Sequence, residues 1–323
     1  MTLFISSDQV REIATPDLCL DAARRAIALS GQPETRVPPR MDLDHEFGFF
    51  RVMPATAGDY AGLKVMTLRK GVGNRYLIML ASKESGDIVA FVDADEITRL
   101  RTAATTVAAA EQVCRTPITD LGLIGTGFEA AGHLEAFAHR WQLERVTVFS
   151  RSEEKRHAFS EAMSEKLGVP VHAVADPAAA QAAHQVVVLA TKSPTPVVDG
   201  RAFAMGACVL SIGATRPDLR EIDSATFARA HHVVVDDAVQ VQAESGDVMA
   251  GVSEGLIGPG DLVGAGDWDP ETHQPHSGRD LIVFKSVGTA VQDLTLASAV
   301  VEQALQSHLG RDLGVLAGLK TAG

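Results

Sequence analysis

Short apolar segments alternate with amphipathic helical patterns along the chain beyond Pro117. Within each segment the apolar residues are consecutive rather than alternate, which is typical of strands that helices cover on both faces of a parallel sheet. We therefore predict a doubly wound α/β domain of the Rossmann type over residues 117–288. The predicted strands lie in segments 120–127, 145–152, 169–174, 185–191, 207–213 and 231–237.

The first third of the chain has a different pattern. Strand-like segments are separated by turn signals at 71–74 and 84–87, which predicts an antiparallel sheet. A last helix has enough apolar residues to pack back on this region, so we predict a mixed α+β domain over 1–116 and 289–323. The predicted strands are 47–55, 61–68, 76–82 and 88–94.

Helical spacing also predicts where the longer helices lie. Between them, residues 251–278 are rich in Gly, Asp, Pro and His, which predicts loops with short helical pieces. The predicted helices are 7–29 with Ser7 and Asp8 as candidate caps and a second start at Thr15, 96–114 with Asp93 or Asp95 as cap, and about 288–306.

Composition and charge narrow the function classes. The 323 residues have 46% hydrophobic and 22% charged side chains, as in a globular protein, and a net charge of -12 that argues against binding to nucleic acid. No leader-like start and no apolar run of about 18 residues are present, so we expect a cytoplasmic protein outside the membrane. Cys19, Cys114 and Cys208 lie far apart in sequence, which predicts buried thiols in a reducing compartment rather than a disulfide or a zinc site.

A glycine-rich fingerprint lies where the first predicted parallel strand meets its helix. Its G-x-G-x-x-A pattern permits a tight turn, close approach of a pyrophosphate and close packing of helix on sheet. Because a strand precedes it and a helix follows it, we predict a nicotinamide dinucleotide site. The fingerprint residues are Gly125, Thr126, Gly127, Phe128, Glu129 and Ala130.

The end of the second predicted strand bears on the type of cofactor. Enzymes that use NAD usually have an acidic residue there to bind the ribose 2′-hydroxyl. This chain has Ser150, Arg151 and Ser152 instead, and a guanidinium between two hydroxyls suits a 2′-phosphate. The sequence favours NADP(H), with NAD(H) as the alternative. Ala190, Thr191 and Lys192 follow the fourth strand, at the edge where such sheets bind ligands, and Thr191 is a candidate neighbour of the nicotinamide ribose.

Three cations are candidates for an anion site in the first domain. Lys64 shares a strand face with Met66 and Leu68, and a lysine among apolar side chains needs an anionic partner or a lowered pKa. Arg40 follows two prolines, and Arg101 lies on the long helix. Taken separately, each is equally well explained as a solvated surface residue.

Together, these segments resemble the ornithine cyclodeaminase/mu-crystallin family over nearly the whole chain. The resemblance implies a nicotinamide-dependent interconversion of imine and amine at C2 of an amino acid, in a homodimer. It implies that Arg40, Lys64 and Arg101 hold the substrate carboxylate, and Ser286 and Gly288 are assigned to the cofactor. The matching segments are VPPR (37–40), RVMPA (51–55), GLKV (62–65), ITRLRTAAT (97–105), LIGTGFEA (123–130), SIGATRPDLREID (211–223), ESGDV (244–248) and FKSVGTAVQD (284–293).

Two positions distinguish the branches of this family. Cyclodeaminases have an aspartate after the fifth strand and an acid after the second, whereas this chain has Thr215 at the first place and Arg151 at the second. Both differences favour the ketimine-reductase branch, in which Thr215 would hydrogen-bond the imine or amine nitrogen. We therefore expect reduction of a small 2-imino acid by NAD(P)H.

Several alternatives stay open at this point. They are a cyclodeaminase-type lyase with catalytic NAD, an alanine-type amino-acid dehydrogenase, and a binding protein for NADPH without activity. A dicarboxylate such as iminosuccinate would fit if Arg69, Lys70 or Arg75 pointed inward, although solvated hairpin residues are the simpler interpretation. His45 is a further pocket candidate that is more simply explained as exposed.

Overall fold

The computed structural model describes residues 1–114, 117–182, 184–273, 279–316 and 318. The chain forms two compact units, one of Met1–Arg101 with the chain from Thr289 onward, and one of Thr102–Gly288. The chain first passes from the first unit to the second within the long helix, between Arg101 and Thr102, whereas the sequence pattern placed this boundary at 116/117. Among the described residues, no helix combines the length and the apolar character needed to cross a bilayer.

The first unit combines a sheet with helices that cover one face. Thr15 caps the second helix by accepting from the Leu18 amide at 3.2 Å. Its elements are β1 Leu3–Ile5, α1 Ser7–Ile13, α2 Pro16–Ser30, β2 Met41–His45, β3 Gly48–Ala57, β4 Tyr60–Arg69, β5 Gly73–Ser82, β6 Ile88–Asp93, the start of α3 Asp95–Val113, α9 Ala290–Gln306 and β15 Arg311–Asp312.

The cap of the first helix differs from the predicted one. Ser6 caps α1 rather than Ser7 or Asp8, because its side chain accepts from the Gln9 amide while the Gln9 side chain accepts from the Ser6 amide. This reciprocal pair satisfies two amides at once. The acidic residues Asp42 and Asp44 belong to strand β2, and His45 is its last residue.

The strands of this unit are ordered β15-β1-β6-β5-β4-β3-β2. The run from β2 to β6 is antiparallel, as predicted for β3 to β6, but β1 pairs with β6 in parallel, so the sheet is mixed. The sequence pattern missed β1, β2 and β15 because they are short or polar. The long hairpin strands fix the register in which Lys64 lies opposite Met53 on one side and Ile78 on the other.

This register separates two faces of the sheet. Met53 and Ile78 are buried on the face with Lys64, and helix α9, which is buried on nearly all sides, packs on β3, β4 and β5. Because alternate residues point to opposite faces, the neighbours of these positions lie on the outer face. That face has exposed apolar side chains at Met41, Leu43 and Leu77.

The second unit alternates strands with helices. Helix α3 ends in it, and three-residue to four-residue 3₁₀ helices complete several loops. Its other elements are β7 Asp120–Ile124, α4 Phe128–Arg140, β8 Arg145–Phe149, α5 Glu153–Leu167, β9 Val171–Ala173, β10 Val186–Leu189, β11 Cys208–Ser211, α6 Ser224–Arg229, β12 Ala230–Val235, α7 Ala238–Glu244, α8 Gly246–Ser253, β13 Leu262–Gly264 and β14 Leu281–Lys285.

All strands of the second sheet are parallel, in the order β13-β12-β14-β11-β10-β7-β8-β9. The predicted α/β class is confirmed. Two strands were missed: β13 lies in the segment predicted to be loop, and β14 pairs between β11 and β12. Strand β14 is short and is followed directly by Ser286 and Gly288, so the hydrophobic pattern alone did not distinguish it from a loop.

Candidate active site

The glycine turn after β7 has the geometry that the fingerprint predicts. Gly125 has φ +125°, a conformation that side chains other than glycine rarely adopt. A Cβ there would lie 2.4 Å from the carbonyl oxygen of Ala190, and the Gly125 amide donates to the carbonyl of Phe149 at 2.8 Å. The turn is therefore held tightly against the neighbouring strand ends, and only glycine fits at Gly125.

The N-terminus of helix α4 fits an anion. Its cap is Gly127, which has no side chain to accept from the first-turn amides, and no atom lies within 4 Å of the position that a Cβ would take there. Ala130 is fully buried against the sheet, whereas Phe128 is exposed. Free space beside an uncapped helix N-terminus is what a pyrophosphate requires.

The loop after β8 is ordered by its own hydrogen bonds. Ser152 caps α5 by accepting from the Lys155 amide at 3.3 Å, and the Ser150 hydroxyl donates to the carbonyl of Ser152 at 3.2 Å. Arg151 is exposed between them. The guanidinium is thus presented to solvent on a fixed loop at the carboxyl edge of the sheet.

A second arginine, which sequence reasoning missed, supports this loop. Arg156 is buried on α5 and donates to the carbonyl of Ser150 at 3.3 Å. Its Nε is buried and has no hydrogen-bond partner among the described residues. The available signal in the sequence was an arginine in the first turns of a predicted helix, directly after a serine-rich loop.

One buried carboxylate organises the two loops after β10 and β11. Glu221 is fully buried, and its Oε1 accepts from the amide and hydroxyl of Thr191 at 2.6 and 2.8 Å. Its Oε2 accepts from the Ser211 hydroxyl and from the amides of Gly213 and Ala214. Glu221 was not predicted as a site residue, although it lies in the matching segment 211–223. Thr191 owes its position to this carboxylate.

A buried ion pair lies behind this carboxylate. Lys285, at the end of β14, donates to the Ser211 hydroxyl at 2.9 Å and pairs with Asp247 at 3.0 Å, and both charged side chains are fully buried. Asp247 Oδ1 also accepts from the amides of Glu221 and Ile222, each at 2.7 Å. Two buried acids and one lysine thus connect the loops after β10 and β11 with helix α8 and strand β14.

Asp236, after β12, holds the loop that contains the two other predicted cofactor residues. It accepts from the Ser286 hydroxyl at 2.7 Å and from the amides of Val287 and Gly288 at 3.1 and 2.7 Å. Gly288 has φ +79° in this turn. Asp236 therefore positions the backbone at the carboxyl end of β14.

In the first unit, a buried aspartate brings two of the predicted cations together. Asp293, in the first turn of α9, accepts from Lys64 Nζ and from Arg101 Nε, both at 2.9 Å. Arg101 also donates to Gln292 at 2.8 Å, and Lys64 Nζ lies 5.2 Å from the centre of the Tyr76 ring. Asp293 is the anionic partner that burial of Lys64 requires.

The electrostatics of this cluster lower two pKa values. Burial, with the charges of Arg101 and Arg40, lowers the pKa of Lys64 to about 8 despite the opposing effect of Asp293. Burial alone would raise the pKa of Asp293, but the charges of Arg101 and Lys64 outweigh it and lower that pKa. The carboxylate is ionised at neutral pH, and Lys64 titrates within the range in which enzymes work.

The remaining predicted residues have different surroundings. Arg40 is half-buried and acts on the charge of Lys64 through space. Thr215 is half-buried in the second unit, in the loop after β11 that Glu221 holds. The other candidates, His45, Arg69, Lys70 and Arg75, are exposed, and Lys192 is exposed as well.

Comparisons with known proteins show which family the chain is similar to. The chain matches the model of the ornithine cyclodeaminase/mu-crystallin family over residues 2–308. It is 29% identical over 326 residues to a delta(1)-pyrroline-2-carboxylate reductase of Bacillus cereus, an alignment that covers 95% of this chain and 98% of that protein.

Two solved structures share the fold over almost their full lengths. The delta(1)-pyrroline-2-carboxylate reductase of Thermococcus litoralis, in complex with NADH and L-proline, is 27% identical with a TM-score of 0.86, covering 97% of this chain and 100% of that one. An archaeal alanine dehydrogenase dimer with bound NAD is 30% identical with a TM-score of 0.86, covering 96% and 98%.

The family match includes the glycine turn at Gly125 in one unit and the Lys64–Asp293 cluster in the other. It therefore confirms the resemblance drawn from the short sequence segments. The chain belongs to the ornithine cyclodeaminase/mu-crystallin family.

Proposed function

We propose that the chain is an NAD(P)H-dependent reductase of small 2-imino acids, which it converts to the amino acids. The observation that supports this most directly is the buried cluster of Lys64, Arg101 and Asp293. Relatives that align over nearly the whole chain are reductases of a cyclic 2-imino acid, and the family match includes the segments that contain the cluster.

The cluster has a surplus of positive charge. Lys64 and Arg101 contact one carboxylate, and Arg40 lies near enough to lower the pKa of Lys64. A substrate carboxylate would neutralise this surplus in a site where water does not screen it. A guanidinium and an ammonium together also fix the orientation of a carboxylate.

A bound nicotinamide cofactor would supply the hydride that reduces the imine carbon. The residues of this chain would orient the imine and move a proton. Lys64, with a pKa of about 8, could protonate the imine nitrogen, which makes the carbon a better acceptor. Asp293 Oδ2 is buried without a hydrogen-bond partner among the described residues, and it could accept an N–H of the protonated imine.

We assign the second unit to the cofactor, with NADP(H) preferred. The Gly127 cap and the tight turn at Gly125 fit a pyrophosphate. The exposed Arg151 on its ordered loop suits a 2′-phosphate, and Arg156 holds this loop through a hydrogen bond to the Ser150 carbonyl.

The nicotinamide end of the cofactor would lie at other loops of the same unit. Thr191, held by Glu221, would contact the nicotinamide ribose. Ser286 and Gly288 would complete the site from the loop that Asp236 holds.

An amino-acid dehydrogenase is the second candidate. The archaeal relative at 30% identity is an alanine dehydrogenase, and a neutral Lys64 could activate water in the oxidative direction. Thr215, in the place of the cyclodeaminase aspartate, favours reduction over cyclodeamination.

We also propose a homodimer that pairs the outer faces of the first-unit sheet. Leu43 lies opposite Phe50. Met41 pairs with Val52 on the next strand, Val52 with Val65, and Val65 with Leu77. These side chains therefore share one face of the sheet. Met41 and Leu43 are 56% and 55% exposed. A contiguous apolar face of this kind is typical of an interface.

The activity is tested by NADPH oxidation with Δ1-pyrroline-2-carboxylate, a six-membered cyclic ketimine, and pyruvate with ammonia. We expect reduction of at least one of these, and a fall in kcat/KM of about a thousandfold in Lys64→Ala because a charged contact to the substrate is lost. Lys83→Ala, an exposed lysine in the same unit, is the control. Ammonia release from ornithine without net oxidation of cofactor would refute the proposal, and full activity of Lys64→Ala would refute the role of the lysine.

The pH dependence tests the role of Asp293. Protonated Lys64 binds the carboxylate, so kcat/KM should fall as the pH rises through about 8. Asp293→Asn removes the charge that raises the pKa of Lys64, so this fall should move to lower pH. Glu96→Gln removes a carboxylate that pairs with Arg11 and Arg99 in the same unit, and it should leave the pH profile in place. If the dependence of kcat/KM on pH is the same in Asp293→Asn as in the unaltered protein, Asp293 does not set the pKa of Lys64 and has only a structural role.

Cofactor preference is measured by titrating the protein with NADPH and with NADH. Arg151→Ala should weaken NADPH binding by about 10-fold or more and leave NADH binding nearly unchanged, because the arginine would contact only the 2′-phosphate. Arg201→Ala, an exposed arginine elsewhere in the unit, should change neither affinity. Equal losses for both cofactors, or tighter binding of NADH to the unaltered protein, would contradict the preference for NADP(H).

The proposed interface predicts the effect of charge on the outer face. The double variant Leu43→Glu, Leu77→Glu should sediment as a monomer, because it would bury like charges in the interface. Val72→Glu changes an equally exposed apolar residue at a hairpin tip and should sediment as the unaltered protein does. A monomeric unaltered protein, or an unaffected double variant, would disprove this pairing.

A further inference from the structure

Two cysteines meet at the edge of the second-unit sheet opposite the cofactor residues. Cys208 is the first residue of strand β11, and Cys114 follows the last residue of helix α3. They are far apart in sequence, but Cys208 is the neighbour with the largest effect on the pKa of Cys114. The Cys208 sulfur also lies 3.8 Å from the carbonyl oxygen of Val113, so the end of α3 lies directly beside the start of β11.

Both thiols line one cavity of about 270 Å³, with Gln185, Met205 and His231 among its walls. Cys208 is nearly fully buried, whereas Cys114 is half-buried. Because Cys114 is the more accessible of the two, a small reagent can reach it first. No third His, Cys, Asp or Glu side chain joins them in a metal-binding group within the described part of the chain. The pair thus has the composition of a dithiol rather than that of a metal site.

We propose that Cys114 and Cys208 are a reversible dithiol–disulfide site, oxidised by peroxides and reduced by small thiols. The two cysteines line the same cavity, and the Val113 contact holds the end of α3 beside the start of β11, as a disulfide between them requires. The bond would join the end of α3 to β11. This inference is independent of the proposed reductase activity, since it concerns the opposite edge of the sheet.

The chemistry balances with hydrogen peroxide as the oxidant. The thiolate of Cys114 attacks one peroxide oxygen, the O–O bond breaks, and a sulfenic acid and water form. The sulfur of Cys208 then attacks the sulfenic sulfur, the S–S bond forms, and a second water leaves. The two thiols together lose two protons and two electrons, and the peroxide is reduced to two waters.

Electrostatics set the conditions for this reaction. The hydrogen bond with Cys208, together with burial, raises the pKa of Cys114 well above its usual range. The thiolate is the reactive form, so the site oxidises slowly at neutral pH and faster as the pH rises. The third cysteine, Cys19, is buried in the other unit, where burial raises its pKa to about 12. Cys19 is therefore an internal reference thiol that should stay reduced.

The test treats the full-length protein with hydrogen peroxide and counts thiols after denaturation. We expect the thiols to fall from the three in the sequence to one, and peptide mapping without reductant to recover Cys114 joined to Cys208. The bond closes a long loop, so the melting temperature should rise by several degrees and return after treatment with dithiothreitol. The rate of oxidation should increase with pH.

Variants separate this site from general oxidation. Cys208→Ser and Cys114→Ser should each lose the joined peptide and the rise in melting temperature, whereas Cys19→Ser should keep both. Circular dichroism before oxidation verifies that each variant is folded, and two independent variants guard against the failure of one. Oxidation of Cys19 at the same rate, disulfides between molecules alone, or over-oxidation of Cys114 without a joined peptide would overturn the proposal.

Discussion

A buried negative charge is the constraint on which the first unit depends. Asp293 is fully enclosed and ionised, and such a charge is tolerated in a protein interior only with close partners. Lys64 comes from the middle of a strand and Arg101 from a helix. The three charged groups therefore meet only when the strand register and the packing of helices α3 and α9 are both correct. The position of Asp293 in the first turn of α9 adds the favourable interaction of an anion with a helix N-terminus.

The second unit uses buried acids in the same way, but to hold backbone. Glu221 ties the loops after β10 and β11, and Asp236 ties the loop after β14. Parallel strands all end at one edge, and their loops would otherwise lack partners for several amides. Each carboxylate accepts from two or more of these groups. Residues such as Thr191 and Ser286 therefore have fixed positions before any ligand arrives, which reduces the entropy that binding costs.

Much of this architecture could be predicted from the sequence, because strand and helix periods differ and glycine turns have a distinct pattern. Gly125, Gly127 and the antiparallel hairpins lie where the pattern placed them. Glu221 and Asp293 were not predicted, because their roles depend on partners distant along the chain, such as Thr191 and Lys64. Arg156 was not predicted because its burial is not visible in the sequence. The meeting of Cys114 with Cys208 was likewise invisible, since sequence spacing reports nothing about which strand end faces which helix end. Short strands such as β1 and β13 were missed because three residues have no measurable period.

The charge balance of the Lys64 cluster connects its structural and chemical roles. One carboxylate holds two cations, and with Arg40 nearby the cluster stays positive, so part of the cost of burying Lys64 is not offset by the fold. That cost is expressed as a pKa of about 8 rather than as an unpaired charge, because the lysine can lose its proton. A carboxylate that binds there would restore the charged form and with it the missing pairing energy. Under the proposed function, the uncompensated cost of burying Lys64 would therefore favour binding of the substrate carboxylate, and this contribution depends on Asp293 remaining ionised.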